Sequence, residues 1–338
     1  MLTDPGGSDP IGADDCLTVV GETLVDLLPD SVRGGHVAHL GGSPANVAVG
    51  LARLGQPTCL VTQTGSDAHG RFARARLAAE GVRVIEAGLD GPASTALVTL
   101  DEHGVARYTF DVRWEITDVH VPAESAAIHV GSLGLVLQPG AAEVMRLLTA
   151  AASRTGRLVS LDPNIRADLL TDPAAARRNI RRAAGLAHVV KLSDEDIDFL
   201  FPGAKPRQAG DLLLGDEPPG DDLPGGPRRT QLVVITSGGE GAFAATGRWR
   251  VDVPAFDVPV VDTVGAGDAF MSGLLAGLAE LRMLSAQGVA ALGAGAPDTV
   301  RGLVTQAAAA AAITCGRTGA DPPNATELRD FLSSRHGL

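Results

Sequence analysis

Aromatic residues are scarce in this sequence, since Phe, Trp and Tyr together make up only 3% of its 338 residues. Surfaces that bind single-stranded nucleic acid stack the bases on aromatic rings, so the sequence offers little for that function. The hydrophobic residues, 45% of the chain, are mainly aliphatic, and they suffice for a sizeable core without a disulfide or a structural metal. A chain of this length forms one large domain or two small ones.

Positive charge is also in short supply. Lys and Arg number 28 against 40 Asp and Glu, which gives a formal net charge of −12 at pH 7. A protein that binds the nucleic-acid backbone carries a basic stripe, and none stands out here, so we expect no nucleic-acid partner. A small anion is still allowed, because a few backbone amides can hold it whatever the net charge.

The sequence also lacks the features of secreted and membrane proteins. Its three cysteines, Cys16, Cys59 and Cys315, are far apart and odd in number, so they fit neither a CxxC metal pair nor a disulfide framework. No apolar run approaches the roughly 18 residues of a membrane span. Residues 1–15 are rich in Gly, Asp and Pro and lack the order of a signal peptide. We therefore expect a cytoplasmic protein without a membrane partner, and a disordered extension over 1–15.

Short apolar strands alternate with helical segments along most of the chain, which predicts parallel strands and an α/β fold. Two pieces, 37–40 and 94–110, alternate like strands instead, and a hairpin turn at 101–104 predicts a small antiparallel flap. Loops are predicted over 203–229 and 293–302, where Gly and Pro are frequent. Helices are predicted over 45–54, 70–80, 141–154, 174–185, 266–280 and 303–315.

The strongest local feature is the run from Gly265 to Asp268 at the start of a predicted helix. Small residues let the backbone approach a ligand, and the unpaired amides and positive dipole of the helix N-terminus converge there. Such a pocket suits a phosphate or a phosphoryl group in transfer. Asp268 is a candidate acceptor for the proton of a substrate hydroxyl, or else only a carboxylate in the first turn of a helix.

Several familiar motifs are absent from the sequence. There is no GxxxxGK[ST], which excludes a Walker P-loop, and no GxGxxG after the first strand, which speaks against a dinucleotide-dependent oxidoreductase. The HExxH zinc motif and the GxSxG nucleophile elbow are also missing.

The segment 41–46, Gly-Gly-Ser-Pro-Ala-Asn, joins a flap strand to a helix. Its glycines allow a ligand hydroxyl to meet backbone amides, and Asn46 can donate to and accept from a polyol. A purely structural interpretation is a helix entry with Ser43 as N-cap and Pro44 as the first helical residue. Asp26, just after the first strand, is either an acceptor for two sugar hydroxyls or a surface acid.

Three further polar segments follow predicted strands, at the sheet edge where open α/β sheets bind ligands. In 162–166, Arg166 is a candidate contact for phosphate or a member of a surface ion pair. In 191–196 the acidic residues could orient magnesium-bound water, or the segment is a capped helix start. In 236–241 the glycines could pass over phosphates or adenine, or form a hairpin turn.

The order of these segments resembles the PfkB carbohydrate kinase family, also called the ribokinase family. The likeness covers about residues 17–323, with 41–46 similar to the family's first signature and 262–268 to its second. It implies a three-layer α/β, ribokinase-like fold, in which helices flank a central, mostly parallel sheet and a small β-sheet forms a lid. It also implies a single domain over 16–335, with the lid formed by about 30–41 and 92–116.

The resemblance further implies roles for individual residues. Asp268 would be the catalytic base, and the anion hole would consist of Gly265, Ala266 and Gly267. The sugar would be held by Asp26, Gly41, Gly42, Asn46, Asn164 and Arg166. The nucleotide would contact Lys191, Ser193, Thr236, Gly238 and Gly241. Asp196 would order magnesium through water, although it and Ser193 stand where many members have an Asn-x-x-Glu pair. In some members a potassium ion lies where this sequence has Asp262, Thr314, Arg317 and Gly319.

Within the family, the segments 21–29, 131–135 and 162–166 are most similar to bacterial fructokinases. We therefore expect transfer of the γ-phosphoryl group of ATP, with Mg²⁺, to a hydroxyl of a small sugar, with fructose as that sugar. Kinases of 2-keto-3-deoxygluconate, ribose or nucleosides are alternatives within the family. A sugar-binding sensor without catalysis is the alternative from another class, and the intact run 265–268 speaks against it. The edge of the lid sheet would allow a homodimer.

Overall fold

A computed structural model describes residues 16–29, 34–100, 106–117, 119–152, 156–215 and 229–335. The predicted extension over 1–15 and the predicted hairpin turn at 101–104 lie outside these residues. The Pro- and Gly-rich part of the predicted loop, 216–228, lies outside them too. Among the described helices, none is both long enough and apolar enough to cross a lipid bilayer.

The described strands and helices alternate along most of the chain. In chain order the strands are β1 (Cys16–Val20), β2 (Leu24–Pro29), β3 (His36–Gly41), β4 (Thr58–Thr62), β5 (Arg83–Glu86), β6 (Ser94–Leu100), β7 (Ala106–Asp111), β8 (Ser125–Gly131), β9 (Leu158–Asp162), β10 (Val189–Ser193), β11 (Leu232–Thr236), β12 (Ala242–Thr246) and β13 (Arg250–Val253). The α-helices are α1 (Ser43–Arg53), α2 (Ala68–Ala79), α3 (Gly140–Ala152), α4 (Pro173–Leu186), α5 (Asp194–Leu200), α6 (Pro206–Leu214), α7 (Ala266–Glu280), α8 (Ala286–Ala294), α9 (Pro297–Cys315) and α10 (Ala325–Arg335).

Nine of the described strands form one large sheet in the order β13-β12-β11-β10-β9-β8-β1-β4-β5. The pairs from β11 to β5 are parallel, and β12 and β13 add an antiparallel edge. Central strands such as β4 and β9 are buried along their whole length, as expected for strands covered on both faces.

The helices cover both faces of the large sheet. Successive strand residues point to opposite faces. Val19 of β1 therefore joins a core with α1, α7 and α9, whereas Val20 joins a core with α3, α4, α5 and α6. The arrangement is helix, sheet, helix, and the predicted three-layer α/β fold is confirmed.

A smaller sheet has the order β3-β2-β6-β7. It contains β2, which lies outside the ranges predicted for the lid, and β2 pairs antiparallel with β3 and parallel with β6. Alternate residues of β2, Leu24, Asp26 and Leu28, line a cavity between this sheet and the large one. One face of the small sheet thus covers the carboxyl ends of the large sheet's strands.

Two predicted loops are partly helical, and these predictions were wrong. The range 203–229 contains α6, which Pro206 begins and Gly215 ends in a left-handed conformation. Its residues Ala209 and Leu213 pack into the core. Their spacing of four is typical of a helix, but the frequent Pro and Gly residues nearby favoured the prediction of a loop. In the range 293–302 all residues are helical except 295 and 296, which connect α8 to α9.

Helices α1 and α7 pack at short distance because small residues meet at their contact. A Cβ atom on Gly50 of α1 would lie 2.4 Å from the Oγ atom of Ser272 on α7, and both residues are buried. The spacing between these two helices is therefore set by a glycine opposite a serine.

We expect Gly50→Ala to destabilise the protein by about 1–3 kcal/mol, because the added methyl group overpacks the contact with Ser272. The matched change Gly302→Ala, on the exposed face of α9 with no atom within 4 Å, should raise stability by about 0.4–1 kcal/mol. Urea unfolding of both variants measures the difference. Equal stability of the two variants would contradict the packing argument.

Candidate active site

The carboxyl ends of the parallel strands open into a cavity of about 1840 Å³. Its walls come from the ends of β10 and β11, the loop after β9, the first turns of α1 and α7, and the small sheet. Open α/β sheets bind ligands at this edge, where helix N-termini converge. The cavity is therefore the candidate active site of the described chain.

Asp268 lies in the cavity wall, in the first turn of α7. Its Oδ1 atom accepts a hydrogen bond from Ser43 Oγ at 2.6 Å, and its Oδ2 atom accepts one from Asn46 Nδ2 at 2.8 Å. Asn164 Nδ2 lies 3.4 Å from Oδ1. The residue is only 6% exposed, so donors from two other elements hold its carboxylate in one orientation. A carboxylate that served only the start of α7 would not need them.

Ser43 does not cap α1, so the predicted helix entry was wrong in this detail. Gly42 is the N-cap residue, no side chain caps the helix, and Ser43 is the first helical residue. Its hydroxyl instead donates to Asp268, which is 225 positions away in the sequence. A hydrogen bond to a carboxylate is stronger than one to a backbone amide, which explains the preference.

The N-terminus of α7 faces the same cavity. Gly265 is its N-cap with a φ angle of 76°, a left-handed conformation that favours glycine. The amide of Ala266 donates to Thr263 O at 3.2 Å, and the amides of the first turn of this 15-residue helix carry the positive end of the helix dipole. Gly265 and Gly267 line the cavity, with Ala266 between them. The predicted anion hole is therefore adjacent to the carboxylate of Asp268.

A buried ion pair lies beside this helix N-terminus. Lys191 Nζ is 2.9 Å from Asp162 Oδ2, and both side chains are almost inaccessible to solvent. The same Nζ atom is 3.2 Å from the point where a Cβ atom on Gly267 would stand. The second oxygen of Asp162, Oδ1, is buried without a hydrogen-bond partner among the described residues. The amine of Lys191 thus lies next to the predicted anion hole.

The charges around Lys191 shift the pKa values of the pair. Burial raises the pKa of Asp162 to about 6 against the opposing effect of the Lys191 ammonium, and the nearby Asp196 and Asp268 add to the rise. Burial lowers the pKa of Lys191, but the same three carboxylates outweigh burial, so its pKa is raised. Lys191 is therefore a cation at neutral pH, buried beside the amides of the predicted anion hole.

Four predicted sugar residues lie where the small sheet meets α1, and two lie in the loop after β9. A Cβ atom on Gly41 would lie 2.3 Å from Asp26 Oδ2, so this glycine leaves room for the carboxylate. Burial raises the pKa of Asp26, and the neighbouring His39 opposes the rise. Asp26 is therefore no ordinary surface acid. The other predicted sugar residues that line the cavity are Gly42, Asn46, Asn164 and Arg166.

The predicted nucleotide residues fall into two groups. Ser193, Thr236 and Gly238 line the cavity together with Lys191. Gly241 is not among the lining residues of the described chain. It follows the short helical turn Gly238–Glu240 that connects the antiparallel strands β11 and β12. The hairpin-turn interpretation therefore explains a glycine at this position.

Ser193 and Asp196 form a capping box at the start of α5. Asp196 N donates to Ser193 Oγ at 3.0 Å, and Ser193 N donates to Asp196 Oδ2 at 2.8 Å. The other oxygen, Oδ1, accepts from Ile165 N at 2.8 Å. Both carboxylate oxygens are thus engaged by backbone amides, as the capped-helix interpretation expects. Contact with a water on magnesium would use the remaining lone pair of Oδ1, because Oδ2 also accepts from Ser193 Oγ at 2.9 Å.

The residues predicted around a potassium ion are only partly brought together. Asp262 Oδ2 accepts a hydrogen bond from Gly319 N at 2.9 Å, and Val261 N donates to Cys315 O at 2.8 Å. The side chains of Thr314 and Arg317 instead bond Ala310 O and the acids Asp321 and Glu327. Within the described chain, no group of three or more His, Cys, Asp or Glu residues could hold a metal ion.

Glu22 is a cavity residue for which the sequence indicated no role. It is fully buried at the end of β1, and its Oε2 atom accepts a hydrogen bond from Gly134 N at 3.1 Å. Burial raises the pKa of Glu22 to about 7, although the Ser132 hydroxyl opposes the rise. Glu22 therefore anchors the turn Ser132–Leu135, whose first two residues also line the cavity. A Gly-Glu pair after a strand is too common to reveal this contact.

Comparisons with known proteins identify the family. Residues 15–327 match the family described as pfkB family carbohydrate kinase, and the chain belongs to this family. A fructokinase of Klebsiella pneumoniae is 39% identical over 275 residues, which cover 77% of this chain and 83% of that protein. The family predicted from the order of the sequence segments is confirmed.

Solved structures of similar proteins agree with this assignment. The fructokinase of Xylella fastidiosa, solved with bound ATP, has a TM-score of 0.81 and 25% identity, and the match covers 95% of this chain and 99% of that one. The fructokinase of Vibrio cholerae O395, solved with fructose, ADP and a calcium ion, has a TM-score of 0.74 and 30% identity over 94% and 99%. A double mutant of the Vibrio enzyme has been solved with fructose, ADP and a potassium ion.

The buried carboxyl of Glu22 should make stability fall as pH rises. The folded state keeps its proton up to a pKa of about 7, whereas the unfolded state loses it near the model-peptide value of 4.5. The stabilising effect is therefore complete below pH 4.5 and is lost as pH rises to 7, a change of roughly 3 kcal/mol. Glu22→Gln should remove this decline, which urea unfolding between pH 5 and about 8 measures.

The difference between the wild-type and Glu22→Gln curves isolates Glu22. Burial lowers the pKa of His129 to about 3 and of His188 to about 4, and both histidines contribute equally in the two proteins. Glu240→Gln, at an exposed position, is the matched control and should follow the wild type. Parallel curves for wild type and Glu22→Gln would show that Glu22 is ionised in the folded protein.

Proposed function

We propose that this chain is an ATP-dependent sugar kinase that transfers the γ-phosphoryl group to a hydroxyl of fructose. The observation that carries the proposal is the placement of Asp268: a buried carboxylate, oriented by Ser43 and Asn46, beside the anion-binding end of α7. Family membership and the fructokinase relatives support both the reaction and the sugar.

In this proposal Asp268 is the base. The acceptor hydroxyl of the sugar approaches its carboxylate and transfers its proton there as the bond to phosphorus forms. Because Ser43 and Asn46 fix the carboxylate, the accepting lone pair points in one direction before the sugar arrives. This orientation lowers the barrier by positioning, which is the main contribution of proteins to phosphoryl transfer.

The phosphates of the nucleotide would meet the amides of Gly265, Ala266 and Gly267. ATP supplies the activated phosphoryl group when it is bound. Lys191, adjacent to these amides, would neutralise the charge that shifts toward the leaving oxygen, and Asp162 holds its amine in place. The remainder of the nucleotide would lie along Ser193, Thr236 and Gly238, with Gly241 shaping the turn beside it.

The sugar would lie between the small sheet and α1. Asp26, Asn46 and Asn164 supply the acceptors and donors that a polyol requires, and Gly41 and Gly42 leave space for its ring. Arg166, at the exposed rim of the cavity, would contact the phosphorylated end of the sugar or the phosphate in transfer.

Two ions would complete the site. Mg²⁺ would be held mainly by phosphate oxygens and water. Asp196 would bond to that water through Oδ1, because Oδ2 already accepts from both Ser193 N and Ser193 Oγ. A potassium ion would lie near Asp262 and the backbone of 314–319, and the Vibrio structure with potassium supports this part of the proposal. The side chains of Thr314 and Arg317 would not contribute, because they bond elsewhere.

We treat residues 16–335 as one domain in which the small sheet serves as the lid. Closure of the lid over the sugar would exclude water and so limit hydrolysis of ATP. The edge strand β3 and the exposed side chain of Val37 on it suit a homodimer formed through the lid. The cytoplasmic location expected from the cysteine content stays a prediction.

An ADP-release assay over several acceptors tests the proposed function. We expect the highest kcat/KM with fructose, and lower values with ribose, 2-keto-3-deoxygluconate and adenosine, because the cavity offers polar groups for a polyol. Replacing potassium by sodium should reduce the rate. ADP release that no sugar or nucleoside stimulates would contradict the kinase assignment. A preference for adenosine would retain the kinase and refute fructose.

Asp268→Asn should reduce kcat roughly 100- to 10,000-fold, because an amide cannot accept the proton of the hydroxyl. Sugar binding, measured by calorimetry, should be largely retained. Asp298→Asn is the matched control, since Asp298 is an exposed carboxylate in the first turn of another helix, α9. Turnover of Asp268→Asn close to that of the control would refute the role of Asp268 as base.

A further inference from the structure

Two cysteines that are distant in the sequence touch in the fold. Cys16 begins β1 and Cys59 lies in the adjacent strand β4, where it pairs with Thr18. Their sulfur atoms are 2.9 Å apart, although 43 positions separate the residues. Both cysteines are free, so no disulfide framework is present among the described residues, but the two side chains are in contact. The parallel pairing of β1 with β4 brings the two cysteines together, and their spacing in the sequence does not predict this contact.

The pair is part of a polar row at the amino-terminal ends of four adjacent strands. Across β8, β1, β4 and β5, the side chains of Ser125, Cys16, Cys59 and Arg83 follow one another. Ser125 Oγ lies 3.7 Å from Cys16 Sγ, and Arg83 Nε donates to Cys59 Sγ at 3.1 Å. Neutral thiols in an apolar core do not require hydrogen-bond donors or a cation beside them. A thiolate is stabilised by both.

The surroundings favour one thiolate in the pair. The S–H of Cys59 donates to Cys16 and lowers the pKa of Cys16 to about 6 against the effect of burial, with help from Thr18 and Arg83. The same contact raises the pKa of Cys59. Cys16 is thus the nucleophile, and Cys59 retains the proton, which is the division of roles in a thiol pair that forms disulfides.

Arg83 connects the pair to the protein surface. Both cysteines are buried, but the Arg83 side chain that bonds Cys59 Sγ is 55% exposed and forms an ion pair with Glu124 at 2.6 Å. Rotation of this side chain on the surface would admit a small oxidant to the sulfur atoms. Because both sulfur atoms are buried, we expect a small oxidant such as a peroxide.

We propose that Cys16 and Cys59 are a reversible oxidation site that a peroxide converts to a disulfide. The Cys16 thiolate attacks hydrogen peroxide and breaks its O–O bond, which gives a sulfenic acid on Cys16 and, after protonation, water. The thiol of Cys59 then attacks that sulfur and releases a second water as the S–S bond forms. From its thiolate–thiol state the pair loses two electrons and one proton, and solvent supplies the second proton of the two waters. A thiol reductant returns the electrons. The sulfur atoms must approach from 2.9 Å to about 2.0 Å, a small movement in the strand ends.

This site is independent of the proposed kinase function. The pair lies at the amino-terminal ends of β1 and β4, whereas the cavity lies at the carboxyl ends of the strands. Oxidation should therefore leave sugar phosphorylation unchanged. The expected effect is on unfolding, because a cross-link that closes a long segment restricts the unfolded chain.

The test is to treat the full chain with hydrogen peroxide, quench it, and count free thiols after denaturation. The three free thiols should fall to one, and peptide mapping without reductant should show a cross-link between Cys16 and Cys59. The midpoint of urea unfolding should rise, and dithiothreitol should reverse each change. Three remaining thiols, or a sulfinic acid on Cys16 without a cross-link, would overturn the proposal.

Variants identify the roles within the pair. Cys315→Ser should still form the cross-link, because Cys315 lies apart from the pair. Cys59→Ser should trap a sulfenic acid on Cys16, detected with dimedone, and Cys16→Ser should leave Cys59 unmodified. Arg83→Gln should slow oxidation several-fold, because it removes the cation that favours the thiolate. A Cys59 that is oxidised as fast without Cys16 as with it would refute the assigned nucleophile.

Discussion

The hydrogen bonds from Ser43 and Asn46 to Asp268 are the interaction on which the candidate site depends. They join the first turns of α1 and α7, two helices from opposite ends of the sequence. Helix α1 continues from the small sheet, which carries Asp26, whereas α7 begins with the amides proposed as the anion hole. One carboxylate thus sets the distance between the groups proposed for the sugar and those proposed for the phosphates. Phosphoryl transfer depends chiefly on that relative placement.

The candidate site combines positive groups with an excess of carboxylates. The net charge is −12, yet the cavity floor combines Lys191 with the positive end of α7. Three carboxylates surround the amine, so without a ligand the cluster has an excess of negative charge. A magnesium nucleotide would bring its own cation to this place, which relieves the repulsion among the carboxylates. The arrangement therefore accepts a phosphate together with a metal better than a phosphate alone.

Features that depend on neighbouring residues could be predicted from the sequence, and features that depend on distant pairs could not. The range of α7 was predicted in full, and its anion hole is contiguous with Asp268. The partner of Ser43 is 225 positions away, so local rules assigned Ser43 to a cap. The contact of Cys16 with Cys59 depends likewise on the order of strands. Helix α6 was predicted as a loop, because the Pro- and Gly-rich segment that follows it in the sequence was given more weight than its apolar spacing.

The scarcity of large side chains explains why the site can be so closely assembled. A Cβ atom on Gly50 would collide with Ser272, and one on Gly273 would lie 3.0 Å from the Cα atom of Ala307, so α1, α7 and α9 approach through small residues. An aromatic residue in place of Gly50 would push α1 away from α7. The 2.6 Å and 2.8 Å bonds to Asp268 could then not form together. The low aromatic content is therefore a condition of the site's geometry as well as a property of the core.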